Sequence, residues 1–168
     1  LIACTYGGLF AFLASSSFVF IDVLGTSRMA FGLYIAGCSV CYIVGTFWCR
    51  RWLLRHGLTG AVKRGAAITL AGGVSMAGLA WAGVISPWAI AVPQFVCSFG
   101  HGIHQPCGQA AVVGPFAQHA GAAAALAGFI LAAAAVAVGA WLGVAMNGTV
   151  YPLVLTVGAM SVATAGVA

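Results

Sequence analysis

Six runs of 19 to 27 residues follow one another along this chain without a single Asp, Glu, Lys or Arg in any of them. They cover 1–21, 29–49, 65–85, 88–113, 120–146 and 150–168. A helix rises 1.5 Å per residue, so about 20 apolar residues cross the hydrocarbon of a bilayer. A spanning barrel would instead alternate apolar and polar residues in segments of about ten. The charged share of the chain is 4%, whereas a water-soluble domain needs about 25% to cover its surface. The sequence therefore predicts an all-α membrane protein of six transmembrane helices in one bundle, 1–168, whose partner is the lipid bilayer. Gly25-Thr26-Ser27, Ser86-Pro87 and Asn147-Gly148-Thr149 supply the turns.

The net charge is +5, yet its distribution speaks against nucleic acid. Arg50, Arg51, Arg55, Lys63 and Arg64 all lie between the second and third runs, with no interleaved aromatic groove. The positive-inside rule makes that stretch a cytoplasmic loop, puts both termini in the cytoplasm and leaves Asp22 and Arg28 outside. A chain that starts at Leu1 and stops at Ala168 is expected to be a fragment or an excised domain, and a signal peptide is neither claimed nor excluded. Cys38-Ser-Val-Cys41 has a redox or metal spacing but sits mid-run without a second pair. The six cysteines read as small buried apolar groups.

The fourth run carries an unusual stripe. Gln94, Ser98, His101, Gln105 and Gln109 fall within an arc of roughly 80° at about 100° per residue. Polar side chains at that depth face a bundle interior or a watery cavity, and five on one stripe exceed what helix-to-helix hydrogen bonding requires. A cavity lining is expected, with His101 as the deep group that bonds a ligand or handles a proton. Pro93 and Pro106 flank the stripe and are expected to act as hinges. In the first run Thr5, Leu9, Phe12, Ser16 and Phe20 share a face suited to a lipophilic ligand or to ordinary packing. His101 and His104 are three residues apart but lack further ligands at a metal spacing, so no metal is expected.

The fifth run is built from small residues: of the 21 residues from 120 to 140, 12 are Ala and 3 are Gly. Gly121, Ala125, Gly128, Ala132, Ala135 and Gly139 recur on one face, which predicts close packing and sliding inside the bundle. Asp22, the only acid, lies at the outer end of the first run and reads as an interfacial anchor.

The stretches SSSFVFIDVLGTSRMAFGL (15–33), GTFWCRRWLLRHG (45–57) and PCGQAAVVGPFAQHAGAAAALAGF (106–129) together resemble the C-terminal half of a major facilitator superfamily transporter. More narrowly they resemble the Bcr/CflA branch of bacterial drug/proton antiporters. Phe18, Val19, Phe20, Gly25, Ser27, Phe31, Gly32 and Leu33 match that pattern in order, as do Pro106, Pro115, Gly121, Ala125, Leu126, Gly128 and Phe129. Ser17, Cys49 and Leu131 depart from it.

The resemblance implies half of a twelve-helix fold, with two inverted three-helix repeats at 1–85 and 88–168. The first, second, fourth and fifth spans would face a central cavity, with the third and sixth outside. It implies a multi-pass protein of the bacterial inner membrane that exports lipophilic or cationic drug-like compounds by alternating access. No cofactor is expected, since a proton gradient would supply the energy. The partner would be the N-terminal six-helix half, or a second copy, since the halves are parallel repeats. His101 and Asp22 are the only groups on this chain placed to carry a proton. The alternatives are an exchanger for a sugar, amino acid or siderophore, a membrane anchor, or an intramembrane enzyme. An enzyme is not expected, because Ser98 and His101 have no orienting acid and no nucleophile turn.

Overall fold

The computed structural model describes residues 1–168 apart from the side chain of residue 117. It is all-α: five α-helices follow one another, with no strand among the described residues. Helix α1, Ile2–Ser17, widens into a π-helical turn over Phe18–Val23. Gly25 turns the chain with φ of 64°, a left-handed conformation open to residues without a Cβ. Ser27 then caps α2, its Oγ accepting from the Ala30 N–H at 3.2 Å.

Helix α2 runs Arg28–Trp81 and is broken at one residue, Gly57, with φ 68° and ψ −177°. Its two legs, 28–56 and 58–81, meet α3 (Pro87–Val113) from opposite sides of a hairpin. On the first leg Gly37 faces Phe95 and Gly45 faces Phe99 and Gly102, so partners rise together along the two helices. On the second leg Gly65 faces Gly100 and Ile103 while Gly72 faces Pro93 and Cys97, so one rises as the other falls. The legs are antiparallel, and α3 lies between them. Glycine is what permits it: at Gly45, Gly65 and Gly72 the contacts reach the opposite backbone, the close approach on which helix association in lipid depends.

The basic segment 50–64, expected as a loop, is helical on both sides of Gly57. Its Arg, Lys, Leu and Trp residues tolerate a helix, and nothing but the glycine interrupts their backbone hydrogen bonding. The third expected run also ends early, at Trp81, because the chain reverses through Gly83 (φ 77°) before Ser86 caps α3. Pro87 occupies the first turn of α3, where a missing N–H costs nothing. Pro93 and Pro106 lie inside α3 without a non-helical residue at either position.

A 3-10 stretch, Gly114–His119, leads to α4, Ala120–Ala145, and Gly148 turns the chain into α5, Tyr151–Gly166. Helix α5 packs on α1 and on the second leg, with Gly73 against Ser161 and Thr5 near Thr164. Helix α4 buries Ala127, Leu131, Val138 and Leu142. Its small-residue face does not meet a neighbour: a side chain added at Gly121, Gly128 or Gly139 would find open space. Among the described residues, three helical segments are long and apolar enough to cross a membrane: Ile2–Val23, Arg28–Trp81 and Ala120–Ala145. Helix α5 is apolar but shorter, and the buried Gln94, His101 and His104 lower the hydropathy of α3.

One core joins the bundle through Phe12, Phe20, Met76, Ile90 and Leu153. A smaller one, Cys49, Ala61, Ile103 and Cys107, lies nearer the hairpin turn. In it the Cys49 and Cys107 sulfurs are 3.4 Å apart, across the contact between the first leg and α3. A membrane-permeant thiol oxidant is expected to join these two into a disulfide ahead of any other pair, read by mass spectrometry of the digested protein. Preferential pairing of Cys49 with Cys4 or Cys38 would contradict this packing.

Candidate functional site

A cavity of about 430 Å³ opens between α1, the first leg of α2 and α3. Helix α3 contributes Gln94, Ser98, His101 and Gln105, the polar stripe whose spacing of 4, 3 and 4 keeps it on one helix face. Opposite stand Tyr6, Leu9, Phe12 and Leu13 from α1, and Ile35, Cys38, Ser39, Tyr42 and Ile43 from α2. Of the residues expected from sequence, the structure brings Phe12, Gln94, Ser98, His101 and Gln105 together.

Ser16 and Phe20 are placed elsewhere. Both are buried, and Phe20 lies edge-on to Phe12 with ring centroids 6.3 Å apart. Phe20 also meets Phe31 at 5.8 Å and Tyr34 at 5.3 Å, and Tyr34 meets Trp88 at 5.1 Å. This chain of rings crosses from α1 through α2 to α3 beyond Phe12, at the end of the bundle that carries Asp22. Each such pair adds about 0.5–1.5 kcal/mol beyond its buried area. Asp22 itself is exposed in the π-helical turn, away from the cavity, and Gln109 does not line it.

The polar groups around the cavity hold one another only in part. The Gln105 amide Nε2–H donates to the Tyr6 hydroxyl at 2.7 Å, tying α3 to α1. The His101 ring is flanked by Tyr6, at 5.5 Å and 74°, and by Tyr42, at 5.7 Å and 41°. Gln94 and His101 are only 3% and 6% exposed. Gln94 Oε1, His101 Nδ1 and Gln105 Oε1 are nevertheless buried without a protein partner. Leaving a buried polar atom unpaired costs about 1–3 kcal/mol, so these three side chains keep hydrogen-bonding capacity that the protein does not fill.

His104 belongs to another environment. Its Nε2 pairs with Thr69 Oγ1 at 3.0 Å, on the side of α3 that faces the second leg. Among the described residues no three His, Cys, Asp or Glu side chains gather closely enough to hold a metal ion. Arg50, Arg51, Arg55 and Arg64 are exposed and Lys63 is exposed near the hairpin turn, remote from the cavity. Arg64 lies 6.0 Å from the Trp52 ring centroid and donates to the Gly60 carbonyl at 3.1 Å.

The sequence patterns single out neither Tyr6 nor Tyr42, and they mark Cys38 only for its spacing from Cys41. For α2 the pattern was legible: Ile35, Cys38, Ser39, Tyr42 and Ile43 follow steps of 3, 1, 3 and 1, a helical face. Set among apolar residues without a charge, it lacked the contrast that made the α3 stripe stand out. Compared with protein families and with curated proteins, the chain matches none.

Proposed function

We propose that this chain is half of a secondary transporter that moves lipophilic, cationic compounds across a membrane by alternating access. The observation that carries the reading is the cavity: about 430 Å³, within the roughly 300–1,000 Å³ of small-molecule sites. Its walls are aromatic and apolar, with a few polar atoms left unpartnered. Tyr6, Tyr42 and Phe12 line it, and an aromatic ring attracts a desolvated cation by about 2 kcal/mol. No carboxylate, lysine or arginine lines the cavity, which favours a lipophilic guest over a charged, strongly hydrated solute. A major facilitator exchanger for another small solute is the second reading, since the polar stripe would equally bond an uncharged hydroxylated guest.

In this proposal the resemblance to the Bcr/CflA antiporters supplies the architecture. The six spans are α1, the two legs of α2, α3, α4 and α5, arranged as two inverted repeats and completed by an N-terminal half. Helix length supports it for the hairpin. The first leg, 28–56, is about 43 Å long against a hydrocarbon thickness of about 30 Å. Its basic end therefore reaches past the hydrocarbon into headgroups and water. A bacterial inner membrane with the hairpin turn and both termini in the cytoplasm is the matching orientation. The proton, on this reading, is carried chiefly by the absent half, with His101 the one deep alternative here.

Two experiments test this. Single cysteines at Lys63 and Thr26, in a variant lacking the six native cysteines, are expected to react with an impermeant maleimide from opposite faces of the membrane. Labelling of position 63 in intact cells would reverse the orientation. For function, tritiated tetraphenylphosphonium is expected to bind the chain in proteoliposomes saturably and to accumulate only when an N-terminal half is co-reconstituted. Absence of saturable binding would remove the cationic substrate class.

A further inference from the structure

Behind the large cavity lies a second, much smaller space of about 20 Å³. Leu9, Gln94, Ser98 and His101 border both, so these four side chains form the partition between them. The far wall comes from other helices: Thr5 on α1, Thr69 on the second leg, and Ser161 and Thr164 on α5. A space of roughly 10–15 Å³ on this measure admits one water molecule. There is room for one small guest and no more.

The hydrogen bonds around the chamber say what kind of guest. Ser161 Oγ–H donates to the Val157 carbonyl at 2.8 Å, and Thr164 Oγ1–H donates to Met160 at 2.8 Å. Thr5 Oγ1–H donates to the Leu1 carbonyl at 3.1 Å. Each proton is thus committed to the hydroxyl's own helix, which leaves oxygen lone pairs for the chamber. Gln94 Oε1 adds an acceptor without a partner, and His101 Nδ1 is buried and unpartnered beside it. A wall of acceptors needs a donor. A bare cation would meet no counter-charge there, since the only acid of the chain, Asp22, does not border the chamber. Stripping the hydration from an ion without that compensation is far more costly than burying a neutral group.

We propose that this chamber is the binding site of a single structural water. It donates one proton to an α5 hydroxyl oxygen and the other to Gln94 Oε1, and its oxygen accepts from the His101 Nδ1–H. The water joins α1, α3 and α5 and fixes the His101 ring from behind. The opposite edge of the ring stays available to a guest in the large cavity. The site stands on hydrogen-bond capacity alone and is independent of the transport reading.

The test is solid-state NMR of the full chain in lipid bilayers with 15N-labelled histidine, the His101 signals being assigned by their loss in His101→Asn. A cross-peak between water protons and His101 Nδ1 is expected. It should vanish in Ser161→Ala/Thr164→Val and persist in Thr164→Ser, which keeps the hydroxyl. No cross-peak in the wild type, or an undiminished one in the double variant, overturns the proposal. A His101 shift on exchanging potassium for sodium at constant ionic strength would identify a cation instead and overturn it as well. Should the double variant fail to fold, a high-resolution experimental structure of the wild type decides, by density or none between Thr164 and Gln94.

Discussion

Valine at position 102 is expected to pull α3 away from the first leg of α2 and to destabilise the bundle more than any substitution around the cavity. Gly102 lies against the Tyr42 carbonyl, and an added Cβ would also come within 3.1 Å of the Thr46 nitrogen. Both obstacles are backbone atoms of a helix, which cannot rotate aside as a side chain would. Overpacking a core costs about 1–3 kcal/mol even where side chains can shift, so about 3 kcal/mol or more is expected here. The readout is the loss of monodisperse protein on heating in detergent. Gly128→Ala is the control: an added methyl meets nothing within 4 Å, and helix propensity alone favours alanine by up to about 1 kcal/mol. A Gly102→Val variant as heat-resistant as the parent would mean that α3 does not sit between the two legs.

Binding of a lipophilic cation is expected to fall at least tenfold in His101→Leu and in Gln105→Leu, with expression and thermal stability little changed. Tenfold corresponds to about 1.4 kcal/mol, within the cost of losing one buried polar partner. His101 stands between Tyr6 and Tyr42, and Gln105 holds the Tyr6 hydroxyl, so either change also loosens the aromatic wall. His104→Leu serves as the contrast. Its partner is Thr69 across the second leg, so stability should drop while affinity is kept. Wild-type affinity in both His101→Leu and Gln105→Leu would remove the cavity as the binding site.

What could be read from sequence follows from where polarity breaks an apolar background. Gln94, Ser98, His101 and Gln105 stand out because a polar group at mid-span is costly and must be accommodated. The α1 stripe was harder. Phe12 reaches the cavity and Ser16 shares its helical face, but Phe20 shares it only on an unbroken α-helix continuing past Ser17. The turn that follows is π-helical over Phe18–Val23, and an aromatic chain closes the cavity short of Phe20. Side-chain spacing records the face of a helix and not the level at which its neighbours close over it. Arg50–Arg64 misled for a different reason: charge marks the water-facing end of a span, but it does not stop a helix, and a single glycine did. For α4, small residues foretold close contact, and within this chain their face meets no neighbour.

The break at Gly57 has a mechanical side. Two legs that hold α3 between them are joined through the torsions of one residue. A rotation of about 10° there would carry the far end of a 43 Å leg through about 7 Å. Neither leg can swing alone, because each is seated on α3 through glycines that leave no slack, Gly45 on one side and Gly65 and Gly72 on the other. Rotation at Gly57 therefore becomes sliding or tilting of α3 relative to one leg. The polar stripe rides on α3, so the clamp that holds His101 in place closes through a single residue remote from the cavity.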